Sequence, residues 1–107
     1  TIWRRPTSQV GIDKKSNFVP QFSMIYQNYP NPFNPLTKII FDIRKSDDVK
    51  IIIFDALGRT ISTLVNQKLL PGSYETTFDG GNLPTGIYFC KLITDTYSKT
   101  IKLNLVK

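Results

Sequence analysis

The chain has 107 residues, a mass of 12.2 kDa and a formal charge of +6, enough for one domain with a single core and too short for two. With 40% hydrophobic and 21% charged residues its composition is that of an ordinary globular domain, and no apolar run approaches the roughly 18 residues of a membrane-spanning helix. One cysteine, Cys90, and no histidine exclude an internal disulfide, a Cys-His nucleophile pair and the usual zinc sites.

Residues 1–21 show no sustained apolar period and mix Ser, Thr, Gln, Asn and Lys, which predicts a linker ahead of a folded domain over 22–107. The opening TIWRRPTSQV lacks the apolar centre of a secretory signal peptide, so an export signal is expected upstream in a longer precursor or elsewhere in the chain. From Phe22 onward short β-branched and aromatic runs alternate with turn residues. The spacing predicts seven strands, near 22–26, 37–43, 49–55, 60–65, 73–78, 86–94 and 97–106.

In TKIIFDI, Ile39, Phe41 and Ile43 alternate with Lys38 and Asp42, giving one buried and one wetter face. VKIIIFD is apolar on both faces after Lys50, as suits a central strand. GIYFCKL puts Tyr88, Cys90 and Leu92 on one side, and IKLNLVK does so with Ile101, Leu103 and Leu105. Cys90 reads as a small strand residue. The breaks are turn chemistry: Ser46-Asp47-Asp48, ALGR with Gly58, Pro71-Gly72, DGGN, and PTG with Gly86. Gly58, Gly72 and Gly86 are assigned to folding. No stretch has helical spacing, and the pattern predicts an all-β, immunoglobulin-like antiparallel β-sandwich.

YQNYPNPFNP, residues 26–35, precedes the first long strand. Pro30, Pro32 and Pro35 fix their own φ and push Tyr29, Asn31 and Asn34 away from helix. Asn31 and Asn34 can accept backbone hydrogens two residues on, and Tyr29 and Phe33 are large enough to anchor a bend. The segment reads as a rigid corner between two strands. The alternative is an exposed proline-rich ligand in the PPII mode.

QNYPNPFNP, D-A-L-G-R at 55–59, P-G-S-Y at 71–74, N-L-P-T-G-I-Y-F at 82–89 and the closing KTIKLNLVK together resemble the type A C-terminal sorting domain of type IX secretion. The likeness covers roughly residues 20–107 and keeps the motifs in order. The resemblance implies an immunoglobulin-like tail, found on proteins exported by Bacteroidota and related bacteria and similar to a domain of the flagellar hook-capping protein. It further implies a precursor that passes the periplasm, an outer-membrane translocon that recognises the tail, and a sortase-like surface cysteine protease that removes it from many members. Gly72 with Tyr74, and Gly86 with Tyr88, match the family's two G-x-Y strand starts. Lys99, Lys102 and Lys107 match the basic positions of its closing segment, with Leu103 and Leu105 between them, and these five are the candidate recognition residues. Asn31, Pro32, Phe33, Asn34 and Pro35 carry the opening motif. Family closings often hold adjacent lysines, whereas Thr100 and Ile101 separate Lys99 from Lys102 here. TIWRRP is similar to the last strand of β-propeller cargo modules, which makes residues 1–6 an expected cargo remnant with Trp3 exposed or disordered.

The closing strand has its own reasons to serve as a handle. Alternation sends Ile101, Leu103 and Leu105 inward and Lys102, Asn104 and Val106 outward, and a free edge invites pairing by a partner strand. Terminal lysines also protect an edge from aggregation.

An enzyme has no support in the sequence: there is no histidine, no carboxylate pair in a cleft and no phosphate loop. Asp47, Asp48 and Asp79 read as solvated turn carboxylates, although DGGN offers oxygen ligands to calcium; no cofactor or metal is expected. A carbohydrate- or surface-binding module would need an exposed row of rings, for which Tyr26, Tyr29, Phe89 and Tyr97 are the candidates. Specific nucleic-acid binding is disfavoured. Arg4, Arg5, Lys14 and Lys15 lie near one end and Lys99, Lys102 and Lys107 near the other, without the interleaved aromatics of a stacking platform.

Overall fold

The structure, a computed structural model, describes residues 12–16 and 19–107. Its strands are β1 (Ile12–Ser16), β2 (Met24–Ile25), β3 (Leu36–Ile43), β4 (Asp47–Asp55), β5 (Thr60–Leu69), β6 (Gly72–Asp79), β7 (Gly86–Ile93) and β8 (Ser98–Leu105). They form two four-stranded sheets, ordered β1-β6-β3-β2 and β5-β4-β7-β8. Every strand pair is antiparallel, and the predicted all-β sandwich is what the chain forms.

Period-2 alternation drives the packing. Ile39, Phe41 and Ile43 of β3 meet Val49, Ile51 and Ile53 of β4, Tyr88, Cys90 and Leu92 of β7, and Leu103 and Leu105 of β8 in one core. Cys90 is fully buried, and burial pushes its thiol up to about 12, which leaves it protonated and unreactive in the folded chain.

The segment 12–16, expected within a linker, forms β1 against the edge of β6, with Ile12 opposite Thr76 and Asp13 opposite Glu75. Ile12, the one apolar residue of this strand, packs on the core. Its pairing rests on backbone hydrogen bonds, which any sequence can make and which leave no hydrophobic period to read. The expected cargo remnant, residues 1–6 with Trp3, lies outside the described residues.

The turns explain the short motifs. In DALGR the Asp55 carboxylate accepts hydrogen bonds from the Leu57 and Arg59 amides, both at 2.9 Å, and from the Arg59 guanidinium at 2.7 Å. Gly58 takes φ 86°, the left-handed conformation this turn requires. The two G-x-Y motifs are one device used twice. The Tyr74 hydroxyl donates to the Leu70 carbonyl at 2.6 Å, and the Tyr88 hydroxyl to the Pro84 carbonyl at 2.7 Å. Each tyrosine reaches back four residues over its glycine and pins the strand entry, as tyrosine corners do in β-sandwiches. Asp47 departs from the solvated turn carboxylate that was expected. It is buried, and its Oδ1 accepts from the amides of Asp48 at 2.9 Å and Asp95 at 3.4 Å, tying the β3–β4 turn to the β7–β8 turn.

Candidate functional site

β8 is an edge strand. Its register against β7 pairs Leu105 with Gly86, Leu103 with Tyr88 and Ile101 with Cys90, so those three apolar side chains enter the core and Lys102 and Asn104 face away. Ile101 is 7% exposed, while Leu103 and Leu105 are both at 0%. Of the candidate recognition residues, the two leucines therefore shape the strand from inside.

The three lysines do not form one cluster. The Lys99 ammonium lies 3.6 Å from the Met24 sulfur of β2. At the other end the Lys107 ammonium donates to the Gly81 carbonyl at 2.6 Å, and the Lys107 amide donates to Thr85 Oγ1 at 3.2 Å. Lys102, opposite Phe89, is exposed in mid-strand. It is the lysine of the three that presents its charge without a side-chain contact among the described residues.

The edge of β8 is not free, contrary to the expectation of an open pairing edge. The proline segment covers it. Phe33 forms a parallel bridge with Leu105: its amide donates to the Asn104 carbonyl at 2.9 Å, and its carbonyl accepts from the Val106 amide at 3.0 Å. Asn31 Oδ1 accepts from the Asn104 amide at 3.0 Å, and the Gln27 amide group donates to the Lys102 carbonyl at 2.7 Å. The Lys102 carbonyl, both backbone groups of Asn104 and the Val106 amide thus have partners supplied by residues 27–33, which is how a native sandwich protects an edge.

The other half of the segment belongs to the opposite sheet. Tyr26 and Tyr29 donate their amides to the carbonyls of Ile40 and Lys38, both at 3.0 Å. Between Tyr29 and Phe33 the chain leaves β3 and reaches β8, so the segment clasps the two sheets together along one side. The peptide bonds before Pro30, Pro32 and Pro35 are cis. The corner reading holds, and the exposed proline ligand does not, because Phe33 is buried and tilts on Phe78 at a centroid distance of 6.0 Å.

Two details of the corner differ from expectation. Tyr29 is 76% exposed and anchors nothing through its ring, because the backbone of Tyr29 and not its side chain bridges to Lys38. Asn31 gives its oxygen to β8 instead of its own turn. Pro32, Asn34 and Pro35 are exposed, and the Pro35 carbonyl accepts the Gly80 amide at 2.8 Å. A Cβ on Gly80 would stand 3.1 Å from Leu105 Cδ2 and 3.2 Å from Phe33 Cε2, so this glycine lets β8 and the clasp close on each other.

The residue that sequence reasoning missed is Asn28. It is 3% exposed, and its amide group donates to Thr37 Oγ1 at 2.9 Å and to the Pro30 carbonyl at 3.1 Å. Thr37 Oγ1 also donates to that carbonyl at 2.9 Å, and Gln27 donates to Asn28 Oδ1 at 2.6 Å. In the sequence Asn28, Asn31 and Asn34 look alike, and it is burial that sets Asn28 apart from the other two.

The four candidate rings do not make a platform. Tyr26 donates its hydroxyl to Asp42 of β3, Tyr97 donates to the Met24 sulfur, and Phe89 lies on the other sheet in β7. Among the described residues no group of three or more His, Cys, Asp or Glu side chains is arranged to hold a metal, and no helix is long and apolar enough to cross a membrane. In DGGN the Asp79 Oδ1 accepts the Gly81 amide at 2.8 Å.

Compared with known protein families, residues 27–106 match the one described as the secretion system C-terminal sorting domain. The matched span opens at Gln27 and ends at Val106, the two limits of the clasp and the strand that it holds. No curated protein matches the chain significantly.

Proposed function

The chain belongs to the secretion system C-terminal sorting domain family, the tail that marks proteins for type IX secretion, and from that membership we propose how this tail works. Residues 22–107, with β1 added at their edge, direct an upstream cargo through the outer-membrane translocon after transit of the periplasm. The domain catalyses nothing itself. It acts as a folded address, and where it is removed a sortase-like cysteine protease at the cell surface makes the cut. A β-propeller is the cargo class that TIWRRP suggests.

Recognition in this reading falls on the outward side of the closing strand. Lys102 is the principal contact, Lys99 and Lys107 mark its two ends, and Leu103 and Leu105 hold the strand in shape. The observation that carries the reading is the match over residues 27–106, supported by a closing strand that is fully folded with Lys102 in solvent. A carbohydrate-binding module is not favoured, because Tyr26 and Tyr29 lie on one sheet and Phe89 on the other.

The test is export of a fluorescent reporter carrying a periplasmic signal peptide and fused to the full chain, in a bacterium with and without its type IX translocon. Translocon-dependent arrival at the surface or in the medium is expected. A folded fusion that stays in the periplasm of the competent strain would remove the sorting reading for this chain.

A further inference from the structure

Pairing register gives the two outer sheet faces opposite charge. On the β1-β6-β3-β2 sheet, Asp13, Glu75, Asp79 and Asp42 share the outer side, with Lys38 the one lysine there among the side chains described. The β5-β4-β7-β8 sheet presents the reverse. Lys50 is opposite Ile93, Ile52 opposite Lys91, Phe54 opposite Phe89, and Phe89 opposite Lys102, while Lys68 of β5 is opposite Asp48 at the rim. Directly opposed residues project to the same side of a sheet. The result is an apolar strip of Ile52, Phe54, Phe89, Ile87 and Ile93 flanked by Lys50, Lys91 and Lys102, with Asp48 as the one acid of that face.

The apolar members of the strip are all half-buried, while Lys50 and Lys102 are exposed. A membrane-inserting surface would project its apolar side chains beyond the charges, and here the most exposed large apolar residues, Leu57, Tyr29, Phe22 and Leu70, lie outside the strip. A half-buried apolar centre with a cationic rim has the anatomy of a protein docking face.

Resting on the sorting reading, we infer that the outer face of β4, β7 and β8 is the surface the export machinery grips, and that its partner is a protein surface with an apolar centre rimmed by carboxylates. Lys102 then acts as one rim charge of a two-dimensional face and not as part of a linear lysine signal. The covered edge of β8 agrees with this, since backbone pairing at Lys102 to Val106 is already used by the clasp.

The experiment uses the full-chain reporter fusion in three forms: unaltered, Lys91→Glu with Lys102→Glu, and a charge-matched control with Arg44→Glu and Lys45→Glu in the β3–β4 turn. Export of the first and third with a drop of about tenfold or more in the second, at unchanged melting temperature, is expected. Equal export of all three overturns the inference and leaves the sorting reading standing. Failure of the unaltered fusion overturns the sorting reading itself. Should the double reversal unfold the domain, a photo-crosslinking side chain at Thr100, compared with one at Thr77 on the opposite sheet, decides instead. A translocon-dependent protein adduct at position 100 and none at 77 is expected, whereas adducts to a second copy, or to lipid, overturn the assignment.

Discussion

Asp55 shows how a single side chain can fold a turn. Its carboxylate is held below its ordinary value of 3.8 by the hydrogen bond from the Arg59 amide, which outweighs the opposing effect of burial, with the Arg59 side chain and the Leu57 amide adding to it. A carboxyl whose pKa is lower in the folded state contributes stability that is present above its unfolded value and is lost as pH falls through the folded one. Asp55→Asn is therefore expected to melt below the unaltered chain at pH 6, with the gap between them narrowing as the pH falls below about 4, where the native carboxylate also takes up its proton; thermal melts across that range check it. The tyrosines act through one hydrogen bond each. Tyr88→Phe keeps the buried ring and leaves the Pro84 carbonyl without its donor, for an expected loss of roughly 1 kcal/mol in urea unfolding. Tyr74→Phe should match it at Leu70, since the two sites share one geometry.

At the scale of elements, the proline segment and β8 are one unit although Gln27 and Lys102 stand 75 positions apart. Asn31→Ala removes the acceptor on the Asn104 amide while keeping the Phe33 bridge. Hydrogen exchange at Asn104 is expected to accelerate markedly, with exchange at the core strand β4 unchanged and a stability loss of about 0.5–1.5 kcal/mol. An unchanged Asn104 rate would mean that the clasp does not protect the edge through this side chain. The strands were legible because β3 and β8 alternate apolar and polar residues while β4 and β7 are short apolar runs bounded by turn residues, and the corner was legible because proline admits few alternatives. β1 was not, since IDKKS has one apolar anchor and pairs through its backbone. Nor was the clasp, because the partner of Asn31 lies on a strand whose position beside it is set only by folding.

Over the whole molecule the same limit applies to charge. Read along the chain the lysines gather toward the ends, but register brings Lys50, Lys68, Lys91 and Lys102 from four different strands onto one face. A charge pattern of this kind belongs to the fold and is invisible to composition. It also changes what deletion of the tail can mean. A chain ending at Lys99 loses Ile101, Leu103 and Leu105 from the core and takes away the strand on which Phe33 bridges. Burying each such side chain is worth roughly 1.5–3 kcal/mol, so the three together approach the 5–15 kcal/mol or so that holds a small domain folded. The truncated chain is expected to show no cooperative transition in far-UV circular dichroism melts, and its failure to be exported would then report a missing fold. A truncated chain that melts cooperatively near the unaltered temperature would instead make the last strand a handle attached to an independent sandwich. Lys102→Gln, which touches no buried group, separates address from fold: its melt is expected to coincide with that of the unaltered chain, so any export defect it shows belongs to recognition.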